Sequence, residues 1–150
     1  MSRKKARESA FMLLYRWDMM DCDSDGNAMT LDETILDNEI LSRADLNDDD
    51  NKYIDAVLDG VREHQADIDT TIEEAAVGWK VTRIPRVDRA ILRLGVYEID
   101  CREDIPGAVT INECVELAKQ YSTDHSGTFL NGVLSTILKQ HGTAPCPSSD

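Results

Sequence analysis

Basic residues are the scarce class in this chain of 150. Lysine and arginine number 16 against 29 acids, for a formal charge of −13. A surface that acidic repels polyanions and argues against a protein basic all over its surface. Cysteine is sparse and scattered, at Cys22, Cys101, Cys114 and Cys146. No CxxC pair occurs, so a zinc site is poorly supported and reduced thiols in a cytoplasmic protein are the simpler reading. No apolar run approaches bilayer-spanning length, and the N-terminus lacks the apolar centre of a signal peptide. A membrane protein is therefore not expected. Aromatic residues make up 5% and strand-type alternation is missing. GxSxG, HExxH, P-loop and GxGxxG patterns are missing as well, and His64, His125 and His141 stand isolated. The expectation is a protein without catalysis and without a cofactor.

What the chain does have is helical periodicity. Ala6, Ala10, Leu13, Leu14 and Trp17 share one helical face. Thr30 with Glu33 reads as a capping box that opens a helix through Leu31, Ile35, Leu36, Ile40 and Leu41. The acids Asp48 to Asp50 suit the start of another, in which Tyr53, Ile54, Val57, Leu58 and Val61 repeat. Ile68, Ile72, Ala75 and Ala76 form a further segment that ends at Gly78 and Trp79. Pro85 precedes a strongly amphipathic stretch with Val87, Ala90, Ile91, Leu94 and Tyr97. Thr110 with Glu113 reads as a second capping box. Phe129, Leu130, Val133, Leu134, Ile137 and Leu138 line the last helix, where Gly132 is expected to permit close approach of a neighbouring helix. The fold class that follows is all-α, about seven helices in two packed antiparallel bundles. One domain is expected over 1–141, with a flexible tail over 142–150.

The charge is unevenly distributed. Residues 1–16 carry Arg3, Lys4, Lys5, Arg7 and Arg16 against Glu8, whereas 18–78 hold nineteen acids against Arg43, Lys52 and Arg62. Such a chain can hold a polyanion at one edge and repel it elsewhere. Lys4, Arg7, Phe11 and Tyr15 fall in one narrow arc of the first helix, a stripe of cations and rings suited to phosphates and unpaired bases. The alternative is a solvated basic helix start with Phe11 and Tyr15 packed inward. Arg86, Arg89 and Arg93 make a second basic row, which either extends such a surface or faces the acidic block. A competing reading lies in Asp21-Cys22-Asp23-Ser24-Asp25-Gly26, which has the carboxylate spacing of a calcium loop with Asp32 at its twelfth position. Asp is short for that position, and no second such loop follows. A plain homodimeric protein-interaction scaffold is the third reading.

Three stretches resemble the NusB family in order and spacing. They are Arg7-Glu8 through Leu14-Tyr15-Arg16-Trp17; Asp88-Arg89-Ala90-Ile91-Leu92-Arg93-Leu94-Gly95-Val96-Tyr97-Glu98 with Ile105-Pro106; and Ile111-Asn112-Glu113 through Lys119, with Ser126 and Phe129-Leu130-Asn131-Gly132-Val133-Leu134. The resemblance implies two small helical bundles and a transcription antitermination factor. Such a factor binds boxA RNA of ribosomal RNA transcripts together with the ribosomal protein NusE and joins the RNA polymerase antitermination complex. It implies RNA contacts at Arg3, Lys4, Lys5, Arg7, Phe129 and Asn131, and places Tyr15 and Asp88 at or near the NusE-binding surface. The free protein would be a monomer or homodimer. The acidic stretch Asp18–Asp50 has little family likeness.

Overall fold

The computed structural model describes residues 2–22, 48–102 and 104–141. Among these residues the chain forms α1 (Ser2–Cys22), α2 (Asp48–Glu63), α3 (Gln65–Ala75), a short 3-10 turn (Val81–Arg83), α4 (Arg86–Cys101), α5 (Gly107–Tyr121) and α6 (Asp124–His141), and no strand. The all-α expectation holds. The helix expected after Thr30, the calcium-loop carboxylates Asp23, Asp25 and Asp32, the side chain of Asp21 and the tail over 142–150 lie outside the described residues.

The chain divides into two compact units, Met1–Asp59 and Gly60–Asp150. In the first, α1 buries Ala6, Ala10, Phe11 and Leu14, while α2 buries Tyr53, Ile54, Val57 and Leu58. Leu13 and Trp17, expected on the core face, are only partly covered. The buried arc of α1 is turned by roughly a sixth of a revolution from the expected one. Alanines offer little area, and burying the Phe11 ring removes far more apolar surface from water. The acids Asp48, Asp49 and Asp50 occupy the first turn of α2, where the helix dipole favours them.

In the second unit α4 is the hub. Every residue from Asp88 to Glu98 is buried, so no side of this helix faces solvent over three turns. A helix enclosed on all sides must find partners for its polar side chains within the protein, and four of those on α4 bond to four different elements. Asp88 Oδ2 accepts from Ser126 Oγ of α6 at 2.8 Å. Arg89 donates to the Val81 carbonyl at 3.0 Å. Arg93 grips Asp69 of α3 through Nε and a terminal nitrogen, both at 2.9 Å. Glu98, which is 0% exposed, accepts from Thr110 Oγ1 of α5 at 2.7 Å. Gly95 completes the packing, because a Cβ there would stand 2.9 Å from Leu134 Cδ2 of α6.

The bond from Thr110 corrects an expectation. Thr110 does not cap α5; the helix already begins at Gly107, after Pro106, and Thr110 lies in its first turn with its hydroxyl turned to Glu98. A buried carboxylate gains more from that donor than a helix start does from one more cap. Cys114 is buried with Sγ 3.9 Å from the Ile91 carbonyl, and Cys101 is partly covered.

Candidate nucleic-acid interface

The N-terminal stripe separates into two parts. Lys4 and Lys5 are exposed in the first turns of α1, and the side chain of Arg3 lies outside the described residues. Arg7 is 3% exposed and Phe11 1% exposed. The Arg7 guanidinium lies 5.8 Å from the centroid of the Tyr53 ring, held as a cation against an aromatic face. The picture of Arg7 and Phe11 as an outward surface is thus corrected: both belong to the core of the first unit. Tyr15 is partly covered. What α1 presents is the pair Lys4 and Lys5, at the helix end where the dipole disfavours cations and an anionic partner would relieve the mismatch.

The second unit presents a different chemistry. Phe129 of α6 is half-buried, and its ring centroid is 5.7 Å from that of Trp79, the planes inclined at 59°. Trp79 is 48% exposed, and Val77 beside it is 87% exposed. The chain places Trp79 by a defined turn. The Ala76 amide closes α3 on the Ile72 carbonyl at 2.8 Å, and the Trp79 amide donates back to Ala76 at 2.9 Å. Gly78 between them has φ 90°, a conformation that L side chains rarely adopt. Two residues on, the Val81 amide donates to Glu73 Oε2 at 2.9 Å, tying the segment to α3. Lys80, Arg83 and Arg86 on this stretch are all exposed. In the sequence Trp79 marks only the end of a segment. Its signal was compositional: a tryptophan between glycine and lysine, just past the acidic block.

Asn131 is exposed on α6, where Ser135 Oγ donates to its Oδ1 at 3.1 Å. Asp88 is 3% exposed, so its carboxylate is not open to a partner at the surface. It acts through Ser126, whose amide is capped by Thr123 Oγ1 at 3.0 Å and whose hydroxyl lies 2.9 Å from that of Ser122. Among the described residues the buried Asp88 Oδ1 has no hydrogen-bond partner. The carboxylate thereby fixes the first turn of the helix that carries Phe129 and Asn131. The second basic row is mostly internal: Arg93 meets Asp69 of the acidic block and Arg89 meets a carbonyl, leaving Arg86 exposed. Among the described residues no group of three His, Cys, Asp or Glu is placed to hold a metal, and no helix is long and apolar enough to cross a membrane.

Known proteins supply the frame for these features. The NusB family model matches residues 4–139. A transcription antitermination protein NusB from Acetivibrio thermocellus is 44% identical over 139 residues, covering 93% of this chain and 90% of that protein. One from Agathobacter rectalis is 43% identical over 135 residues, covering 90% and 98%. Among solved structures, that of antitermination factors NusB and NusE in complex with double-stranded RNA superposes with a TM-score of 0.74 at 31% identity, covering 92% of this chain and 96% of that one.

Proposed function

Because the chain belongs to the NusB family, we propose that it is a transcription antitermination factor that binds boxA RNA of ribosomal RNA transcripts together with the ribosomal protein NusE. The observation that carries this reading is the likeness, over nearly the whole chain, to a NusB solved with NusE and RNA. In that role the protein binds and assembles without catalysing a reaction. It works in the cytoplasm, where the RNA polymerase antitermination complex forms on the nascent transcript.

The site residues divide by task. Lys4 and Lys5, with Arg3, hold phosphates, since they are cations at one edge of a chain of −13 charge. Phe129 offers a ring face to an unpaired base, and Asn131 a hydrogen-bonding edge beside it. Arg7 supports α1, which carries Lys4 and Lys5, through its contact with the Tyr53 ring. Tyr15 contributes to the NusE-binding surface, and Asp88 positions the start of α6 for it through Ser126.

The test is binding of boxA RNA and of a scrambled control, with and without the NusE-type protein, at one stated salt concentration. Preference for boxA that grows when the protein partner is added is the expected result. Equal affinity for both RNAs with the partner present would overturn the reading.

A further inference from the structure

We propose that the outer face of α6, together with Trp79, is a seat for an RNA strand in which Trp79 takes an unpaired base beside Phe129 and Gly132 lets the sugar–phosphate backbone lie against the helix. The inference rests on the RNA-binding reading above and deepens it by adding two residues and a geometry.

Trp79 carries the argument. A tryptophan left 48% exposed next to a half-buried phenylalanine is costly to hydrate, and the turn through Gly78 at φ 90° holds it there. With the Phe129 ring 5.7 Å away on an inclined plane, about half of Trp79 stays open to solvent, and stacking on such a ring tolerates any base. The surroundings select a polyanion over an acidic or apolar protein: Lys80 and Arg83 are exposed beside Trp79, and Lys139 is exposed on α6, in a molecule otherwise poor in cations.

Gly132 extends the seat. A glycine inside a helix costs about 1 kcal/mol relative to alanine, so its presence calls for a reason. Close approach of another helix, the expected reason, is not it. Gly132 is exposed, and among the described residues a Cβ built there meets no atom within 4 Å beyond its own helix backbone. At about 100° per residue, His125, Thr128, Phe129, Gly132 and Thr136 share the solvent side of α6. Next to the aromatic pair, therefore, the helix backbone is uncovered toward solvent at Gly132, whereas the other glycine of α6, Gly127, is buried. A strand stacked on Trp79 and Phe129 can there reach the helix itself.

The experiment uses the full chain with boxA RNA and the NusE-type protein. Gly132→Ala should raise the melting temperature, as an exposed helical glycine replaced by alanine does, and yet weaken RNA binding severalfold. Trp79→Ala should weaken it about tenfold. Neither should alter the salt slope, because neither removes a phosphate contact. In a Trp17→Phe chain the remaining emission, that of Trp79, should be quenched by RNA; the difference between the parent and Trp79→Phe gives the same readout with Trp17 intact. If RNA binds while Trp79 emission is unmoved and Gly132→Ala binds as tightly as the parent, the seat is overturned and the RNA-binding reading stands. If the substitutions weaken capture of the NusE-type protein but not of RNA, the face belongs to that protein and the proposal fails. Absence of RNA binding by the parent would overturn both.

Discussion

Two helices of this protein carry cations at helical spacing, and they use them in opposite ways. On α1, Lys4 and Lys5 stand exposed at the positive end of the helix dipole. On α4, Arg89 and Arg93 are drawn inside, one to a carbonyl and the other to a carboxylate. Lys4 and Arg7 on α1 have the same i, i+3 spacing as Arg86 and Arg89 on α4, and each pair has one exposed and one buried member, so pattern does not decide the role. The decision lies in whether an acceptor sits within reach once the chain has folded. Arg7 makes the point within α1 itself, because one turn beyond Lys4 the Tyr53 face takes up its charge and it joins the core.

The sharpest way to break the comparison is at Arg93. Its side chain is 8% exposed and that of Asp69 is 24% exposed, with two parallel bonds between them. Arg93→Ala leaves a largely covered carboxylate without its fork and should cost about 3 kcal/mol in urea unfolding. Arg93→Lys keeps the charge but not the two-pronged geometry, so it should recover only part of the loss. An unchanged unfolding midpoint in Arg93→Ala would mean that the α4 row is a surface like that of α1. Thr110→Val comes next, at about 1–3 kcal/mol, because it removes a donor from the fully buried Glu98.

These two sites also mark what could be read in advance. Spacing within a helix is local, so the core positions Ala90, Ile91, Leu94, Leu130, Val133, Leu134 and Ile137 were legible from the chain alone, and all are buried. The partner of Arg93 was not, because Asp69 is 24 residues away and only folding joins them. Thr110 followed by Glu113 looks the same whether the helix starts there or a turn earlier, so the pattern could not separate a cap from a donor to Glu98. Phe11 lies about a third of a turn from the expected core face, so spacing alone leaves it on the stripe; folding draws its ring inward, as the alternative reading has it. The place of Trp79 is not legible in the chain, because it lies in the distance to Phe129, which no spacing rule encodes.

On α1 the comparison predicts binding changes without stability changes. Replacing Lys4 and Lys5 by alanine removes cations from the wrong end of a helix, so unfolding should stay level or improve by a few tenths of a kcal/mol. RNA affinity should fall, and the slope of log K against log salt should flatten by roughly 1.4 to 1.8 if both hold phosphates. Arg7→Ala should do the reverse: it should destabilise the fold through Tyr53 while leaving the slope nearly untouched. Were all three to flatten the slope equally, the division of α1 into surface and core cations would be wrong.

The smallest expected effect concerns a third use of a cation, at the end of α4. Burial pushes the Tyr97 phenol above its ordinary value of 10.0, and the neighbouring Arg102 guanidinium pulls it partly back. Arg102 is also paired with Asp104, Nε to Oδ1 at 2.9 Å, at the surface. A raised phenol favours the neutral form in the folded state. Its contribution to stability is therefore complete below pH 10 and is lost as pH rises from about 10 through the folded value. Tyr97→Phe should remove that portion of the alkaline decline, seen by comparing unfolding at pH 9 and above pH 10. Arg102→Ala should move the phenol titration, followed by tyrosinate absorbance, to still higher pH, because the opposing charge is gone while the burial remains. A downward shift would mean that Arg102 shields Tyr97 from water more than it attracts the phenolate, making it a packing residue like Arg93 rather than a source of field.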